Sequence, residues 1–397
     1  MNLKAIVLGC LTMMSVPLLA QDTTKTDAPQ NSADNLMEKR DHKATFGAYG
    51  QIDYNQPVSG DKRYNGMLDV HRLVAFFGYN FSDRVQFVSE IEVEHVIEVY
   101  VEQAFINYKL NDFISLRGGL LLIPMGIINE YHEPPTFNGV ERPNLDSRII
   151  PTTWRELGAG IYGKVNSANL KYQLYALNGF NGYNGKANFN GNNGFRSGRQ
   201  KGAESFMSGP DIAGKIDYYG IRGLKIGLAG YVGRSESTLY NGIEKDNDAA
   251  LAMADSSTVG IRMVGLDARY NLKGFEARGQ FVYADIDDAG IYNTFTGSDL
   301  GSAMMGYYAE LGFDVLSFCE TNKKLVAFGR YETYFTHYKV PENTNLNKAY
   351  NRTDYTFGLG FYPVDNVVFK ADYQIFDNET DADPRNQINF GIGFWFY

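Results

Sequence analysis

Three glutamates at alternate positions, Glu90, Glu92 and Glu94, form a row of potential metal ligands in this chain of 397 residues. Alternate residues of a strand face the same side about 7 Å apart, too far for one ion to be shared without help from neighbouring strands. The histidines show no metal-ligand spacing; they are His42, His71, His95, His132 and His337. We therefore predict no metal site and no cofactor, and we interpret the glutamates as a charged wall.

Two sequence patterns resemble enzyme motifs, but both are weak evidence for catalysis. The segment from Gly209 to Ile216 nearly matches a phosphate-binding P-loop, but Ile216 stands where Ser or Thr binds the metal and no helical pattern follows, so we interpret it as a chance match. A Ser or Asp paired with His95 or His132 would fit a barrel enzyme of the lipase or protease type, yet no nucleophile motif accompanies either histidine. The sequence favours a function without catalysis.

Charged residues at alternate positions of other segments are expected to face the same interior as the glutamate row. Acids and bases that face each other across a channel set a transverse field, which biases the ions that pass. The predicted members of this interior wall are Arg117, Arg155, Glu156, Lys164, Lys171, Lys215, Arg269, Arg278, Arg330 and Lys370.

The first twenty residues have the composition of a secretory signal. Lys4 precedes an apolar stretch and Ala20 supplies a small residue, which predicts cleavage near Ala20. A lipoprotein cleavage at Cys10 would leave too short an apolar core. Residues 21–43 are polar and predict a disordered periplasmic lead-in. Without the leader Cys319 is the single cysteine, so no internal disulfide is possible, and the net charge of -9 argues against nucleic-acid binding.

The remainder of the chain alternates apolar and polar residues with period two. In Val85 to His95 the odd positions are mostly apolar, whereas the even positions include all three glutamates of the row. The sixteen predicted strands are 44–56, 69–81, 84–95, 98–110, 113–123, 154–165, 168–179, 209–219, 222–234, 258–271, 273–286, 304–318, 322–337, 351–363, 365–378 and 385–397.

Strand length, strand number and loop lengths together define a fold class. Short turns alternate with longer loops between an even number of strands of about 9 to 13 residues, which is typical of an outer-membrane barrel. A soluble β-sandwich has shorter strands and does not tolerate charge along its inner faces. We therefore predict that residues 44–397 form an all-β, antiparallel transmembrane barrel of about sixteen strands, surrounded by outer-membrane lipid of a Gram-negative cell.

The connection from Pro124 to Thr153 is the loop with the clearest functional signature. It holds five prolines and a dense mixture of charged and apolar residues, so we expect a stiff and functional segment. By contrast, Asn178 to Arg199 is rich in Asn-Gly pairs and predicts a flexible external loop. The candidate constriction residues of the first loop are Glu130, His132, Glu133, Glu141, Arg142, Asp146 and Arg148.

Arg117 to Gly126 and Trp154 to Gly158, with Glu141-Arg142 between them, resemble the phosphate-selective porin O/P family. In that family a G-x-x-x-x-P-x-G strand end leads through a long loop to an R-x-x-G strand start. Val70 to Leu73 and Glu90 to His95 are similar to its Bacteroidetes branch. The resemblance is specific over roughly Val70 to Lys164, and it implies a sixteen-stranded homotrimeric porin with loop three folded into the pore.

These observations predict a porin, a water-filled channel for passive diffusion of small hydrophilic solutes or ions, with phosphate and other anions as candidates. Two alternatives remain open at this stage, namely the barrel enzyme described above and a structural barrel with a closed lumen. The acidic balance of the whole chain opposes anion selectivity at long range, although local charge in the lumen can override the total. The sequence leaves the sign of the selectivity open.

Overall fold

The computed structural model of the chain describes residues 28, 31–38, 42–381 and 384–396. The predicted signal 1–20 lies outside the described residues. The strands are β1 (Ala44–Val58), β2 (Met67–Asn80), β3 (Val85–Glu94), β4 (Glu98–Lys109), β5 (Ser115–Leu122), β6 (Arg155–Val165), β7 (Leu170–Leu177), β8 (Asn181–Tyr183), β9 (Asp211–Ile221), β10 (Leu224–Arg234), β11 (Glu236–Ser237), β12 (Gly260–Leu272), β13 (Phe275–Asp287), β14 (Ala303–Asp314), β15 (Lys324–Lys339), β16 (Asn351–Val364), β17 (Val367–Asn378) and β18 (Arg385–Phe396).

Sixteen of these strands form one closed antiparallel barrel, and β1 pairs with β18 to close it. Strands β8 and β11 stand apart as a two-stranded parallel pair. The α-helices are short: α1 (Ser32–Glu38), α2 (Leu145–Arg148), α3 (Asp248–Asp255) and α4 (Ala289–Thr296). Among the described residues no helix is long and apolar enough to cross a membrane. The predicted sixteen-stranded barrel is confirmed, with strand ends within a few residues of those expected.

The alternation of apolar and polar residues separates the two faces of each strand, as β17 shows. Phe369 is 47% exposed and Tyr373 is 37% exposed on the outside of the barrel. Lys370 and Asp372, on the opposite face of the same strand, are only 6% and 5% exposed. Because successive side chains of a strand point to opposite faces, period two places the apolar residues outside and the charged residues inside. The barrel is therefore inside-out relative to a soluble protein.

The two rims of the barrel differ in the length of their connections. The short-turn end carries connections 81–84, 110–114, 166–169, 222–223, 273–274, 315–323 and 365–366. The long-loop end carries 59–66, 95–97, 123–154, 178–210, 235–259, 288–302, 340–350 and 379–384. Such an asymmetry is usual for barrels that cross an outer membrane.

The connection after β7 forms an aromatic core at the long-loop end. Phe180, Phe189 and Phe195 are fully buried, and the Phe180 ring stacks on Trp154 with 4.4 Å between ring centroids. The prediction that Asn178 to Arg199 is flexible is therefore wrong, whereas nothing contradicts its external position. The Asn-Gly pairs do supply turns, but the phenylalanines between them bury enough apolar surface to fix the chain.

Helix α1 lies inside the barrel at the short-turn end, against β2 and β3. Ala33, Leu36 and Met37 are buried, at the spacing that places residues on one face of a helix. The prediction that the whole lead-in is disordered is wrong for residues 32–38. The surrounding polar composition concealed a single apolar stripe, and that stripe is stable only because the barrel supplies a partner for it.

Candidate functional site

The loop between β5 and β6, hereafter the 124–153 loop, reaches the opposite wall of the barrel. Lys370 donates to the carbonyls of Phe137 and Gly139, at 2.6 and 2.8 Å. The Val140 amide donates to Asp372 at 2.6 Å. These partners lie on β17, about half-way round the barrel from β5 and β6 in the strand order. The loop therefore spans the interior from wall to wall.

Helix α2 of the same loop is held by two further strands. The amides of Asn144 and Leu145 donate to the carboxylate of Glu332 on β15, at 3.0 and 3.1 Å. The side chain of Asn144 donates to Asp354 on β16 at 2.8 Å. Carboxylates at the first turn of a helix satisfy amide groups that have no partner within the helix. The charged interior thus holds the loop in place.

The first half of the loop is fixed by a buried cation. The ammonium of Lys215 on β9 lies 2.7 Å from Glu130 and 2.8 Å from Asp267 on β12, and Asp217 follows at 3.7 Å. All four side chains are nearly inaccessible to solvent. A lysine among three carboxylates compensates charge that would otherwise be buried without a partner. Lys215 therefore couples the loop to two strands.

A cleft of about 350 Å³ opens above the loop at the long-loop end. Its walls carry both signs of charge. The basic residues that line it are Arg72, Arg142, Arg155, Arg196, Arg199 and Lys201, and the acidic ones are Glu92, Glu94, Glu98, Glu141 and Asp146. Part of this charge is internally paired, because Arg72 lies 3.5 Å from Glu92.

Three arginines of the cleft bind neutral groups instead of carboxylates. Arg199 donates to the carbonyl of Thr152 at 2.9 Å, Arg196 donates to the same carbonyl at 3.0 Å, and Arg155 donates to the Thr153 hydroxyl at 3.1 Å. Their positive charge is therefore not cancelled by their hydrogen-bond partners. Burial, together with the charges of these three arginines, lowers the pKa of the neighbouring Lys201 to about 8.

Two cavities lie at the short-turn end. One, of about 440 Å³, is bounded by Tyr131 and Thr136 of the 124–153 loop and by Arg269 and Arg278 of the wall. The other, of about 400 Å³, is bounded on one side by helix α1. The 124–153 loop therefore lines both the cleft at the long-loop end and the 440 Å³ cavity at the short-turn end.

Helix α1 is attached to the interior by charge. Asp34 lies 2.8 Å from the ammonium of Lys171 on β7 and 3.5 Å from Arg117 on β5. Burial alone would raise the pKa of Asp34, but these two cations outweigh it and hold the pKa well below its usual range. Ser32 at the start of the helix donates to Glu133 of the 124–153 loop through both its amide and its hydroxyl.

The remaining predicted residues have definite partners. Arg278 and Arg330 share Glu310, and Arg330 also donates to the Glu141 carbonyl. Other contacts are Lys164 with Glu38, Arg269 over the Tyr131 ring, Glu141 with Asn55, Asp146 with Gln280, Arg142 with the His132 carbonyl and Arg148 with Asn193. Glu156 accepts from Asn178 and the Gln200 amide, so it contacts the 178–210 connection and not the cleft.

A comparison with known proteins gives one strong match in sequence. The chain is 32% identical over 371 residues to an uncharacterized protein of Aquifex aeolicus (strain VF5), covering 89% of this chain and 80% of the relative. The two proteins belong to one family. No family model matches the chain. The resemblance to the phosphate-selective porin O/P family therefore stays a prediction.

Solved structures share the fold at low sequence identity. The outer membrane channel DcaP of Acinetobacter baumannii is 12% identical with a TM-score of 0.57, covering 89% of this chain and 97% of that one. The anion-selective porin of Comamonas acidovorans is 12% identical with a TM-score of 0.52, over 89% and 100%. The trimer form of OmpT of Vibrio cholerae is 11% identical with a TM-score of 0.51, over 89% and 100%. The chain thus shares the barrel fold of these proteins.

Sequence reasoning missed three groups of residues at the site. Asp34 was hidden in a segment interpreted as disordered. Arg196 and Arg199 belong to a stretch interpreted as flexible, and Lys201 follows it directly. Glu102 occupies an inward position of β4 next to the glutamate row of β3, so the period-two pattern contained the signal that would have found it.

Proposed function

We propose that this protein is an outer-membrane porin through which small hydrophilic solutes diffuse passively. The observation that carries the proposal is the closed barrel whose outside is apolar and whose interior is charged. Apolar side chains such as Phe357 and Leu311 are 53% and 58% exposed on the outside. Such an apolar outer surface is stable in contact with lipid, and the charged interior is stable in contact with water.

The outer membrane is the location that fits this architecture. Transmembrane barrels with short turns at one rim and long loops at the other occur there. Two structural relatives, an outer membrane channel and an anion-selective porin, support the same assignment. One relative was solved as a trimer, and this supports a homotrimer for the chain as well.

The 124–153 loop is the proposed constriction. It crosses the interior between the cleft at the long-loop end and the cavities at the short-turn end. A solute that traverses the barrel therefore has to pass this loop. Its many contacts with opposite walls make it a rigid size filter, because both ends and the tip are fixed by hydrogen bonds and ion pairs.

We further propose that the cleft favours anions, with inorganic phosphate as one candidate. Arg155, Arg196, Arg199 and Lys201 gather on one side of the cleft, and the hydrogen bonds of the three arginines go to neutral acceptors. Uncompensated guanidinium groups are good binding partners for oxyanions because they present several donors in a fixed plane. The local charge then outweighs the acidic total of the chain at this point.

Solute uptake into liposomes tests the proposed function. Liposomes that contain the folded protein are expected to swell in small sugars and salts faster than empty ones, and more slowly as the sugar becomes larger. A heat-unfolded sample of the same preparation serves as the control. Liposomes that contain the folded barrel and swell no faster than empty ones would contradict the proposal.

A further inference from the structure

Three side chains from three parts of the chain meet inside the barrel wall next to the 124–153 loop. Glu90 lies on β3, Glu102 on β4 and His132 in the loop, and each is at most 1% exposed. The Nε2 atom of His132 is 3.3 Å from a Glu102 oxygen and 3.8 Å from a Glu90 oxygen. One ligand atom from each residue lies within 4.8 Å of the other two. The trio is separate from the cleft and the cavities described above.

The hydrogen bonds of the trio are incomplete. Neither Glu90 oxygen has a hydrogen-bond partner among the described residues, and the same holds for Glu102 Oε1 and His132 Nε2. Tyr49 donates to the other Glu102 oxygen at 3.0 Å. Buried carboxylates are normally bonded, so two that converge on an imidazole with unused lone pairs need a positive charge between them, which either a proton on Nε2 or a metal ion supplies.

The tautomer of His132 supports a metal ion in that place. Its Nδ1 atom is 3.3 Å from the backbone carbonyl of Asn129, and a carbonyl can only accept, so Nδ1 carries the proton. Nδ1 keeps this proton in both the neutral and the protonated ring. A metal ion binds the neutral ring, in which the lone pair of Nε2 faces the two carboxylates, so metal and proton compete for Nε2. Histidines that bind metals commonly donate their other ring nitrogen to a carbonyl in this way, which fixes the ring and raises its basicity.

The distances suit a small transition-metal ion. Ligand atoms that lie about 2.1 Å from one ion at tetrahedral angles are about 3.4 Å apart. The two separations from Nε2, 3.3 and 3.8 Å, are close to this value. Two carboxylates and one imidazole form a donor set that zinc accepts, with a fourth position left for water.

We propose that Glu90, Glu102 and His132 form a binding site for a divalent transition-metal ion, with Zn²⁺ as the probe, that clamps the 124–153 loop to β3 and β4. Two ligands come from the wall and one from the loop, so the bound ion joins them directly. Arg72 and Arg142 lie near Glu102 and reduce the net negative charge of the region. The ion is therefore expected to bind through geometry and donor type more than through long-range attraction.

Metal analysis of the full-length folded protein tests the site. The protein is incubated with micromolar Zn²⁺, freed of unbound metal by gel filtration, and analysed for zinc by mass spectrometry. We expect about one zinc ion per chain in the unchanged protein and at least a tenfold loss of zinc in both His132→Ala and Glu90→Gln. Glu90→Gln keeps the size of the side chain, so it decides the outcome if His132→Ala fails to fold.

His71→Ala is the matched control, because His71 belongs to a second group of potential ligands with Asp53 and Glu141. This variant should retain its zinc. Anomalous diffraction at the zinc edge should show one peak between Glu90, Glu102 and His132. A protein that binds no zinc, zinc that persists in Glu90→Gln, or a peak at Asp53, His71 and Glu141 instead would overturn the proposal.

Discussion

The ammonium of Lys215 on β9 and the carboxylate of Glu130 in the 124–153 loop form a buried ion pair, with 2.7 Å between Nζ and Oε2. The same ammonium contacts Asp267 on β12 at 2.8 Å. One cation thus joins the loop to two strands. Glu130 comes from a loop and Lys215 from a strand far along the chain, so this contact is part of what determines where the loop crosses the barrel.

Removal of Lys215 is expected to destabilise the protein strongly. Lys215→Met leaves Glu130, Asp217 and Asp267 buried without their cation, and breaking a buried pair in this way costs about 3 to 5 kcal/mol. Urea unfolding in lipid or detergent, followed by tryptophan fluorescence, measures the free energy of unfolding. Lys164→Met is the control, because its pair with Glu38 is partly exposed and is worth less than about 1 kcal/mol. Equal losses in the two variants would contradict this role of Lys215.

Reversal of one charge in the cleft should change ion selectivity. Lys201 makes no hydrogen bond to the loop backbone, and its ammonium lies 4.9 Å from the Tyr100 ring. Lys201→Glu is therefore expected to leave the fold intact and to lower the preference for anions. One unit charge at about 5 Å in water changes the energy of an ion by roughly 1 kcal/mol, so the permeability ratio should change several-fold.

The reversal potential of the channel in a salt gradient measures this ratio. Lys245→Glu makes the same change of charge at an exposed position of the 235–259 connection, outside the cleft. It should leave the reversal potential almost unchanged. If both variants shift the potential equally, the cleft does not control selectivity.

The preference for anions should also depend on pH. Because the pKa of Lys201 is lowered to about 8, its ammonium is mostly charged at pH 7 and mostly neutral at pH 9. The anion-to-cation permeability ratio is expected to fall as the pH rises through this range. In Lys201→Arg the guanidinium stays charged, so the decline should disappear. A decline of the same size in Lys201→Arg would show that another group titrates.

Helix α1 is expected to restrict the short-turn end. Deletion of residues 21–38 should raise the single-channel conductance, since the helix occupies space inside the barrel and bounds one cavity. Asp34→Asn should have a smaller effect in the same direction, because it weakens the contacts with Lys171 and Arg117. Glu38→Gln alters only the partly exposed pair with Lys164 and serves as the control. An unchanged conductance after deletion would refute the obstruction.

The strands could be predicted from the sequence because their signal is local. Period two is visible within each segment, and Glu90, Lys215 and Lys370, which it assigned to the interior, are buried. The hydrogen-bond partners of these residues could not be predicted from the sequence. Lys370 meets Phe137 and Gly139 only after the barrel closes, and nothing in the neighbouring sequence specifies that contact.

Two segments were predicted wrongly because their order depends on contacts with the barrel, which their composition does not reveal. Helix α1 has a polar sequence with a narrow apolar stripe, and such a short helix is stable only when a partner buries that stripe. The 178–210 connection has many turn-forming residues, yet Phe180, Phe189 and Phe195 pack around Trp154 and Tyr231. The Asn-Gly pairs indicate turns from local propensity, but local propensity gives no information about tertiary packing.

Single-channel recording in planar bilayers tests the central claim most directly. The purified protein, shown to be folded by its heat-dependent migration on gels, is added to a bilayer in concentrated potassium chloride. We predict discrete upward conductance steps, with a reversal potential that favours anions in a salt gradient. Insertion of the folded barrel without any conductance step would contradict the proposed channel, and a cation-favouring potential would contradict the proposed selectivity.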